Sequence, residues 1–302
     1  MDRGSHSLYR LRRYEEPLTA WICVLPTILL FSLFRFYPVI YSAILSLTDW
    51  DGIAPQKHFV GLGNYVKLFT SPEFYNSFAV TCYYTIVAVP LGMCLALVLG
   101  LALNRSIYGL SIYRTLYFMP VVTSTIAVSI IWLWLYEPSY GLVNYFLRMF
   151  GLPTPRWLQD PKWAMPALIL MSTWKGLGFN MVLFLAGLQG IPNEYYEAAR
   201  IDGAGAWACF RHITLPLLAP TTFFILVTSI IGSFQVFDQV FIMTSGGPMQ
   251  ATDVVVFNLY RHAFEFFHFG YASAIAYVLF AVILILTLIQ WRVMGRSFST
   301  IL

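Results

Sequence analysis

One face of an apolar stretch of this sequence could bind a polar solute. Its residues recur at i, i+3, i+4 and i+7, the spacing of one side of a helix, and they are Ser172, Lys175, Gly176 and Phe179. Hydroxyl and ammonium groups exchange hydrogen bonds with a solute, and an aromatic ring offers it an apolar surface. This face therefore has the side chains that a binding site needs.

A second apolar stretch carries a similar stripe. The polar and small residues on it or beside it are Ser229, Gly232, Ser233, Gln235 and Gln239. Both stripes fall about halfway along their stretches, where transporters place their binding sites. We predict a substrate path lined by Ser229, Ser233 and Gln235 together with the first face. Packing between helices, which Ser and Gly also favour in membranes, is the alternative.

Two basic residues lie inside apolar stretches. Lys175 is the more costly, since a charge at the centre of a membrane helix costs roughly 2.5–3.5 kcal/mol. It requires a partner or a water-filled cavity, and Asp238 or a bound solute could supply that partner. Arg35 could extend its charge to the membrane surface, pair within a helix bundle or line a path, and the first two are favoured.

The composition places the chain in a lipid bilayer. Hydrophobic residues make up 59% of it and charged residues 11%, whereas soluble domains contain about 25% charged residues. The apolar runs predict an all-α integral membrane protein with six transmembrane helices. Their predicted ranges are 18–47, 78–103, 115–136, 166–190, 217–243 and 271–291. They form one predicted transmembrane domain, residues 18–294, between tails at 1–17 and 295–302.

Basic residues predict the orientation of these helices. Arg residues recur in both tails, between the second and third helices, and between the fourth and fifth. Because cytoplasmic segments of membrane proteins are rich in Lys and Arg, both termini are predicted to be cytoplasmic. The turn-rich loops 48–77 and 137–165, and an amphipathic piece at 257–267, are then outside. No basic face typical of nucleic-acid binding is seen.

Residues 191–216, which we call the elbow, are a polar interruption between the fourth and fifth predicted helices. The pattern predicts two short helices joined at Gly203, because Asp202-Gly203 permits the left-handed turn that ends a helix. The second is predicted at about 204–212, and Pro216 is predicted to break the chain after it. The elbow would either dock in a groove of a partner or lie on the membrane surface.

The elbow also contains a family motif. Its residues are Glu197, Ala198, Ala199, Asp202, Gly203, Ile213, Leu215 and Pro216, with Arg200 on the same side of the helix as the glutamate. In type and spacing they resemble the EAA loop of membrane subunits of binding-protein-dependent ABC importers. In that family the loop is a coupling helix that docks on a separate ATP-hydrolysing subunit. The resemblance implies a type I ABC importer transmembrane domain and an ATPase-coupling role for these residues.

Further motifs resemble the carbohydrate branch of this family, of the maltose-transporter type, and within it the first of the two permeases. They are Phe36-Tyr37-Pro38, the run from Phe59 to Tyr65, the run from Arg114 to Pro120, the run from Trp174 to Asn180, and Gly246-Gly247-Pro248. The resemblance implies that helices four and five hold a sugar, on whose ring Trp174 or Phe179 could stack. The chain lacks the extra N-terminal helices and large periplasmic domain of the maltose subunit.

The resemblance also implies partners. They are a second homologous permease, two ATP-binding subunits, an extracytoplasmic solute-binding protein and a sugar, assembled in a bacterial inner membrane. The chain contains no G-x-x-x-x-G-K-[ST] phosphate-binding loop, so ATP and Mg²⁺ are expected on the partner ATPase and no cofactor on this chain. No catalytic residues and no metal ligands are predicted, and the chain is not expected to be an enzyme.

Two other classes of function would leave different patterns. An ion-coupled secondary carrier would need a buried carboxylate, for which Asp238 is the one clear candidate, and it would leave the elbow without a purpose. An intramembrane enzyme would need His, Asp or Glu at helical spacing, whereas His262 and His268 flank a loop segment. The secondary carrier is kept as the alternative.

Overall fold

Helices make up most of the chain. The structure, a computed structural model, describes residues 21–105 and 108–298. Its helices are α1 (Trp21–Leu45), α2 (Gly63–Thr70), α3 (Pro72–Leu103), α4 (Leu110–Val122), α5 (Thr125–Leu135), α6 (Leu142–Met149), α7 (Pro161–Gln189), α8 (Asn193–Ile201), α9 (Ala206–Leu217), α10 (Ala219–Phe234), α11 (Asp238–Met243), α12 (Val255–Tyr260) and α13 (Phe269–Phe298). Strands β1 (Thr48–Asp49) and β2 (His58–Phe59) pair antiparallel.

Four described helices are long and apolar enough to cross a membrane, namely α1, α3, α7 and α13. Two bent pairs, α4 with α5 and α9 with α10, raise the number of candidate spans to six if each pair counts as one. The predicted all-α membrane architecture is therefore confirmed, with four to six spans. The predicted tail 1–17 lies outside the described residues, and α13 continues into the predicted tail at 295–302.

The long helices begin earlier than predicted because proline and a capping residue start them. Ser71 Oγ accepts a hydrogen bond from Phe74 N at 3.4 Å, and Pro72 occupies the first turn of α3. Asp160 Oδ1 accepts one from Lys162 N at 2.9 Å at the start of α7. A proline in the first turn loses no helical hydrogen bond, so these prolines favour the start of a helix.

The predicted third helix, 115–136, is wrong as a single straight span. The chain bends by 99° between α4 and α5, at Thr123 and Ser124. Thr123 has extended backbone angles, and its hydroxyl donates a hydrogen bond to the carbonyl of Pro120 at 2.7 Å. That carbonyl is one of the last in α4, where it has lost its helical donor. The threonine hydroxyl therefore stabilises a helix end inside an apolar run.

The predicted fifth helix, 217–243, is also interrupted. It ends at Phe234 and resumes at Asp238, with extended φ of −146° at Phe237. Val236 within the break and Val240 after it are buried in an apolar cluster with residues of α5 and α7. Burial of these side chains favours the break, because a continuous helix would point in another direction.

The predicted loops contain helices, and they meet at one end of the molecule. This end, which we call the loop end, includes α2, α6, α12 and the strands. Gly270 N at the start of α13 donates a hydrogen bond to Trp50 O at 3.2 Å, and Asn258 Nδ2 donates one to Glu73 Oε1 at 3.0 Å. The amphipathic piece predicted at 257–267 forms α12 and the wide helical turn that follows it.

The elbow lies at the other end, which we call the elbow end. An apolar cluster there joins Leu103 at the end of α3 to Ile191, Ile213 and Leu217. Helices α3 and α7 run the length of the bundle between the two ends, so both are placed to position groups at mid-depth and at the ends.

Candidate functional site

A cavity of about 280 Å³ lies at the middle of the bundle, between α3, α7 and α10. Its walls consist of small, hydroxyl-bearing and aromatic residues: Tyr84, Ala88, Val89, Gly92, Ser172, Thr173, Gly176, Phe179, Asn180, Thr228, Ser229, Gly232 and Ser233. No residue of this wall carries a formal charge at neutral pH. The wall is therefore suited to a neutral polar solute.

The structure brings five of the seven residues predicted for the substrate path together on this cavity. They are Ser172, Gly176, Phe179, Ser229 and Ser233. Lys175 and Gln235 lie outside the wall. At 100° per residue, Lys175 is turned away from the direction shared by the α7 residues of the wall. Gln235 follows the last residue of α10, where helical spacing no longer holds.

Several hydroxyl groups of the wall are already engaged. Gln239 Nε2 donates to Ser172 Oγ at 3.1 Å and to Tyr84 Oη at 3.3 Å, so it ties α11 to α7 and α3. Ser233 Oγ lies 3.0 Å from Thr85 Oγ1 and joins α10 to α3. These bonds fix the shape of the cavity, because each links two different helices.

Other polar groups of the wall are free. Thr173 Oγ1 is buried without a hydrogen-bond partner. Within residues 21–105 and 108–298, no side-chain hydrogen bond involves Asn180 or Ser229 either, although both line the cavity. Buried polar atoms in native proteins are almost always paired, so the unpaired hydroxyl of Thr173 indicates bound water or a ligand. Asn180 and Ser229 are partly exposed to the cavity. These three side chains are the groups that can bind a solute.

Sequence reasoning missed the contribution of α3. Tyr84, Ala88 and Gly92 line the cavity at i, i+4 and i+8, a helical spacing that could have been found. Their stripe is less polar than those on α7 and α10, so it resembles ordinary packing. Of the two aromatic residues considered for ring stacking, Phe179 lines the cavity, whereas Trp174 contacts Trp132 with ring centroids 5.6 Å apart.

The two charges inside apolar helices have no ion pair in the described part of the chain. Lys175 is partly exposed, and no ion pair with Asp238, one of the two partners considered for it, is formed among the described residues. Arg35 is exposed in a wide helical turn of α1. Both side chains therefore face surfaces that this chain does not itself cover.

The elbow is two helices joined at a glycine, as predicted. Gly203 has φ of +82°, a left-handed value that only glycine adopts without strain, and it separates α8 from α9. Tyr196 Oη and Thr214 Oγ1 lie 3.0 Å apart and join the two arms. The second arm is longer than predicted, since α9 continues to Leu217.

Pro216 does not break the chain where it was predicted to. It lies within α9, and the 63° bend comes after Leu217, between α9 and α10. Pro220 lies in the first turn of α10, where a proline fits. The later proline therefore marks the start of the next helix, and Pro216 lies in the short last piece of α9, Leu215–Leu217, which follows the wide turn Phe210–Thr214.

The motif residues of the elbow divide between two faces. Ile213 packs into the apolar cluster of the elbow end, and Ala199 is partly buried. The others are exposed, namely Glu197, Ala198, Arg200, Asp202, Gly203, Leu215 and Pro216. No ion pair joins Glu197 to Arg200 among the described residues, so both charges are available to a partner.

The exposed face of the elbow is also apolar. Ile201 is 86% exposed and Trp207 is 70% exposed. Both are large apolar side chains that the described part of the chain leaves uncovered at the tip of a polar segment. The sequence analysis did not single them out, since neither belongs to the motif.

Charged side chains meet at the loop end, where Asp253 is buried and the others are partly exposed. Arg261 Nη1 lies 3.3 Å from Glu73 Oε1 and 3.8 Å from Asp253 Oδ2. Asp253, which is 1% exposed, also accepts a hydrogen bond from Ser77 Oγ at 2.9 Å. Burial raises the pKa of Asp253, and it lowers the pKa of His262, whose Nε2 lies 3.8 Å from Glu73 Oε2. We call Glu73, Asp253, Arg261 and His262 the loop-end network.

Comparison with known proteins identifies the family. The family described as binding-protein-dependent transport system inner membrane component matches residues 88–299, which include the elbow and nearly all of the cavity wall. The chain belongs to this family. Its multi-pass membrane character and its role as a transport permease follow from that membership.

The similarity of this chain to its relatives in the family extends over nearly its whole length. The lactose transport system permease protein LacF of Rhizobium radiobacter is 36% identical over 93% of this chain and 95% of that protein. The trehalose/maltose transport system permease protein MalF of Thermococcus litoralis is 35% identical over 94% and 96%. A bacterial alginate ABC transporter, solved in complex with an alginate pentasaccharide-bound periplasmic protein, has a chain with a TM-score of 0.82 at 25% identity, covering 94% of this chain and 96% of that one.

Proposed function

We propose that this chain is the first-permease-like subunit of an ABC importer for a sugar or sugar-like solute. With a second homologous permease it forms the translocation path, and ATP with Mg²⁺ is bound and hydrolysed on two separate subunits. An extracytoplasmic solute-binding protein delivers the solute. Six spans, cytoplasmic termini and a bacterial inner membrane complete the proposal, which the basic residues of both tails and the family membership support.

The observation that carries this proposal is the continuity of α7. The helix contributes Ser172 and Asn180 to the cavity at its middle and leads into the elbow at its end, without a break between Pro161 and Gln189. Its contacts are close, since a Cβ at Gly178 would lie 2.1 Å from Tyr117 O and one at Gly187 would lie 2.5 Å from Thr221 Oγ1. A packed helix moves as a rigid body, so displacement of the elbow displaces the cavity wall.

The proposed mechanism is alternating access. Docking of the loaded binding protein at the loop end and closure of the two ATPases on the elbows open the cavity outward, and hydrolysis returns it inward. Helix-in-groove docking explains the exposed apolar and charged residues of the elbow, with Glu197 paired to a basic residue of the ATPase. The chain itself catalyses no reaction in this scheme.

A neutral sugar fits the wall of the cavity. Thr173, Asn180 and Ser229 present unpaired donors and acceptors, and Phe179 presents a ring that can cover the apolar face of a pyranose. The cavity lies just below the usual size range for ligand sites, about 300–1,000 Å³, and a second permease facing it would enlarge and close it. The solutes in the names of LacF and MalF, both sugars, support this assignment.

The test is reconstitution in proteoliposomes with the second permease, the ATPase and the binding protein, using radiolabelled lactose, maltose and trehalose as probes. We expect uptake of a sugar that requires both the ATPase and the binding protein. Asn180→Ala should reduce this uptake at least tenfold, because it removes a free hydrogen-bonding group, while Val98→Ala on an exposed side of α3 should not. Uptake that persists without the ATPase would instead support the ion-coupled carrier, for which the relatives give no support.

A further inference from the structure

A second cavity, of about 580 Å³, lies on the surface of the bundle between α4 and α7. The apolar residues of its wall are Phe118, Met119 and Val122 on α4 and Val182 on α7. Val122 is 76% exposed, so the described chain leaves this apolar surface uncovered. We call the cavity the α4–α7 groove. It is distinct from the cavity of the candidate functional site, because the two have no lining residue in common.

The charged residue of this groove is Arg114, four residues before Phe118 and therefore on the same side of α4. The side chain is partly exposed, but its Nε atom is buried without a hydrogen-bond partner. In the described part of the chain it forms no ion pair. A charged donor that is buried without an acceptor is costly. An anion that carries oxygen atoms is therefore expected at this end of the groove.

The other polar groups of the wall already have acceptors within α4. Thr115 Oγ1 donates a hydrogen bond to Ser111 O at 2.9 Å, and Thr123 Oγ1 donates one to Pro120 O at 2.7 Å. The groove is thus polar at Arg114 and apolar along the rest of its length.

The groove has the depth of one leaflet of a membrane. Leu110, the first residue of α4, packs on the apolar cluster of the elbow end, and Arg114 follows it by about one helical turn. From Arg114 to Thr123 the α4 side of the groove extends about 14 Å, at about 1.5 Å per residue. One leaflet contributes about 15 Å of hydrocarbon, half of the bilayer core. The guanidinium is therefore at the level of lipid headgroups, and the apolar wall is at the level of acyl chains.

Closer packing of the two helices cannot fill the groove. A Cβ at Gly178 on α7 would lie 2.1 Å from Tyr117 O on α4, so the two backbones are already in contact beside it. The volume must therefore be occupied by another molecule, either a lipid or the second permease. A protein surface would have to place an acidic side chain and an apolar filling in the right order, whereas a phospholipid carries an anionic phosphate and an acyl chain in that order.

We propose that the α4–α7 groove binds an anionic phospholipid, with its phosphate on Arg114 and one acyl chain along Phe118 and Val122. A guanidinium presents a planar fork of donors that matches phosphate oxygens. Basic pockets between transmembrane helices on the cytoplasmic side bind lipid headgroups in other membrane proteins. The site needs only the membrane location that the family gives, and its assignment to the cytoplasmic leaflet rests on the proposed function.

The test uses the assembled complex in vesicles of phosphatidylcholine and phosphatidylglycerol in equal amounts. A trace of phosphatidylglycerol with a photoactivatable group in its acyl chain labels the protein, and mass spectrometry of the digested chain locates the label. We expect label between Phe118 and Val122, and less of it when phosphatidylcholine carries the photoactivatable group.

Two pairs of variants separate this site from general attraction to the membrane. Arg114→Gln should lower the labelling about fivefold, because one basic residue near the surface contributes about that factor to the binding of anionic lipid. Arg105→Gln, exposed just after α3 at the same end, should leave it within twofold. Val182→Trp, which fills the groove but keeps the arginine, should also lower it, whereas Val98→Trp on an exposed side of α3 should not.

Unchanged labelling in Arg114→Gln, or an equal loss in Arg105→Gln, would overturn the lipid site. Cross-linking of position 119 to the second permease, with no lipid label there, would assign the groove to that subunit instead. Sugar uptake in the same vesicles keeps the two proposals apart. Uptake that requires the ATPase, without lipid label, counts against the lipid site alone, whereas label without such uptake counts against the proposed function alone.

Discussion

The two ends of this molecule are held by different forces. At the loop end, Arg261 is paired with Glu73 and with Asp253. Glu73, on α3, is far in sequence from the other two residues. At the elbow end, apolar packing around Ile213 holds the elbow against the bundle. One side-chain hydrogen bond, between Tyr196 and Thr214, joins the two arms. The charges of the elbow are exposed and unpaired within the described chain.

This difference separates the roles of charge. A directional network of partly buried charges fixes one geometry, whereas apolar contacts are less directional and tolerate small displacements. The charged network therefore fixes the conformation of the surface at the loop end. Under the proposed function, the elbow moves as a unit with α7 and offers its exposed charges to the ATPase.

The largest expected effect is the loss of the arginine at the loop end. Arg261→Met leaves the partly exposed Glu73 and the buried Asp253 without their cation, and leaving a buried polar group without its partner costs about 1–3 kcal/mol. Arg200→Met in the exposed elbow is the matched control, with an expected change within about 0.5 kcal/mol. Thermal unfolding of the purified permease pair in detergent measures both. Equal melting temperatures for the two variants would remove the distinction between the ends.

A smaller effect is expected from the hydrogen bond of the elbow. Tyr196→Phe removes the contact with Thr214 Oγ1 but keeps the ring, so we expect a loss of about 0.5–1.5 kcal/mol. Tyr195→Phe, on the exposed side of the same helix, should have no measurable effect. The same unfolding measurement applies. A loss as large as that in Arg261→Met would show that the elbow is also locked by a polar contact.

The smallest effect is a pH dependence confined to the loop end. Burial and the cations Arg261 and Lys67, with His268, lower the pKa of His262 below its ordinary value of 6.5, and Glu73 offsets part of this shift. The unfolded chain therefore takes up the proton first, and stability should fall as the pH drops through 6.5 towards the folded pKa. His262→Gln should flatten this decline.

The direction of the pH dependence distinguishes the effect of His262 from that of its neighbour Asp253. Burial raises the pKa of Asp253 above 3.8, so its protonation favours the folded chain and acts with the opposite sign at lower pH. A stability that falls as the pH drops from 8 to 6 therefore has the sign expected of the histidine and not that expected of Asp253. A decline of equal slope in His262→Gln would assign the pH dependence to other groups.

Helical periodicity and the preferences of turn residues were sufficient to predict those features of the fold and of the site that depend on local sequence. The turn at Gly203 followed from a residue pair, and the cavity face of α7 from the spacing of Ser172 and Gly176. The bend at Thr123 and the break before Asp238 could not be predicted in the same way. Both lie inside apolar runs, and contacts with distant helices decide them.

The position of Lys175 shows a second limit of prediction from the sequence. Helical spacing groups it loosely with Ser172, but the exact direction of the cavity depends on how α3 and α10 pack against α7. The contribution of Tyr84 depends on the same packing, together with the position of Gln239 after the break. Site residues that require two or three helices to meet are therefore visible only in the folded chain.

The central claim is that the elbow transmits the action of the ATPase to the cavity, and one substitution tests it directly. Gly203→Pro imposes a φ near −65° where the chain has +82°, so it should change the angle between α8 and α9 without touching the cavity. Gly205→Pro is the matched control, because its φ of −74° already suits proline.

Binding-protein-stimulated ATP hydrolysis and sugar uptake are measured in proteoliposomes for both variants, after confirming that the complexes assemble. We predict that Gly203→Pro lowers both at least tenfold and that Gly205→Pro leaves both within twofold of the unaltered complex. Uptake and stimulation that survive Gly203→Pro would contradict a coupling role for the elbow.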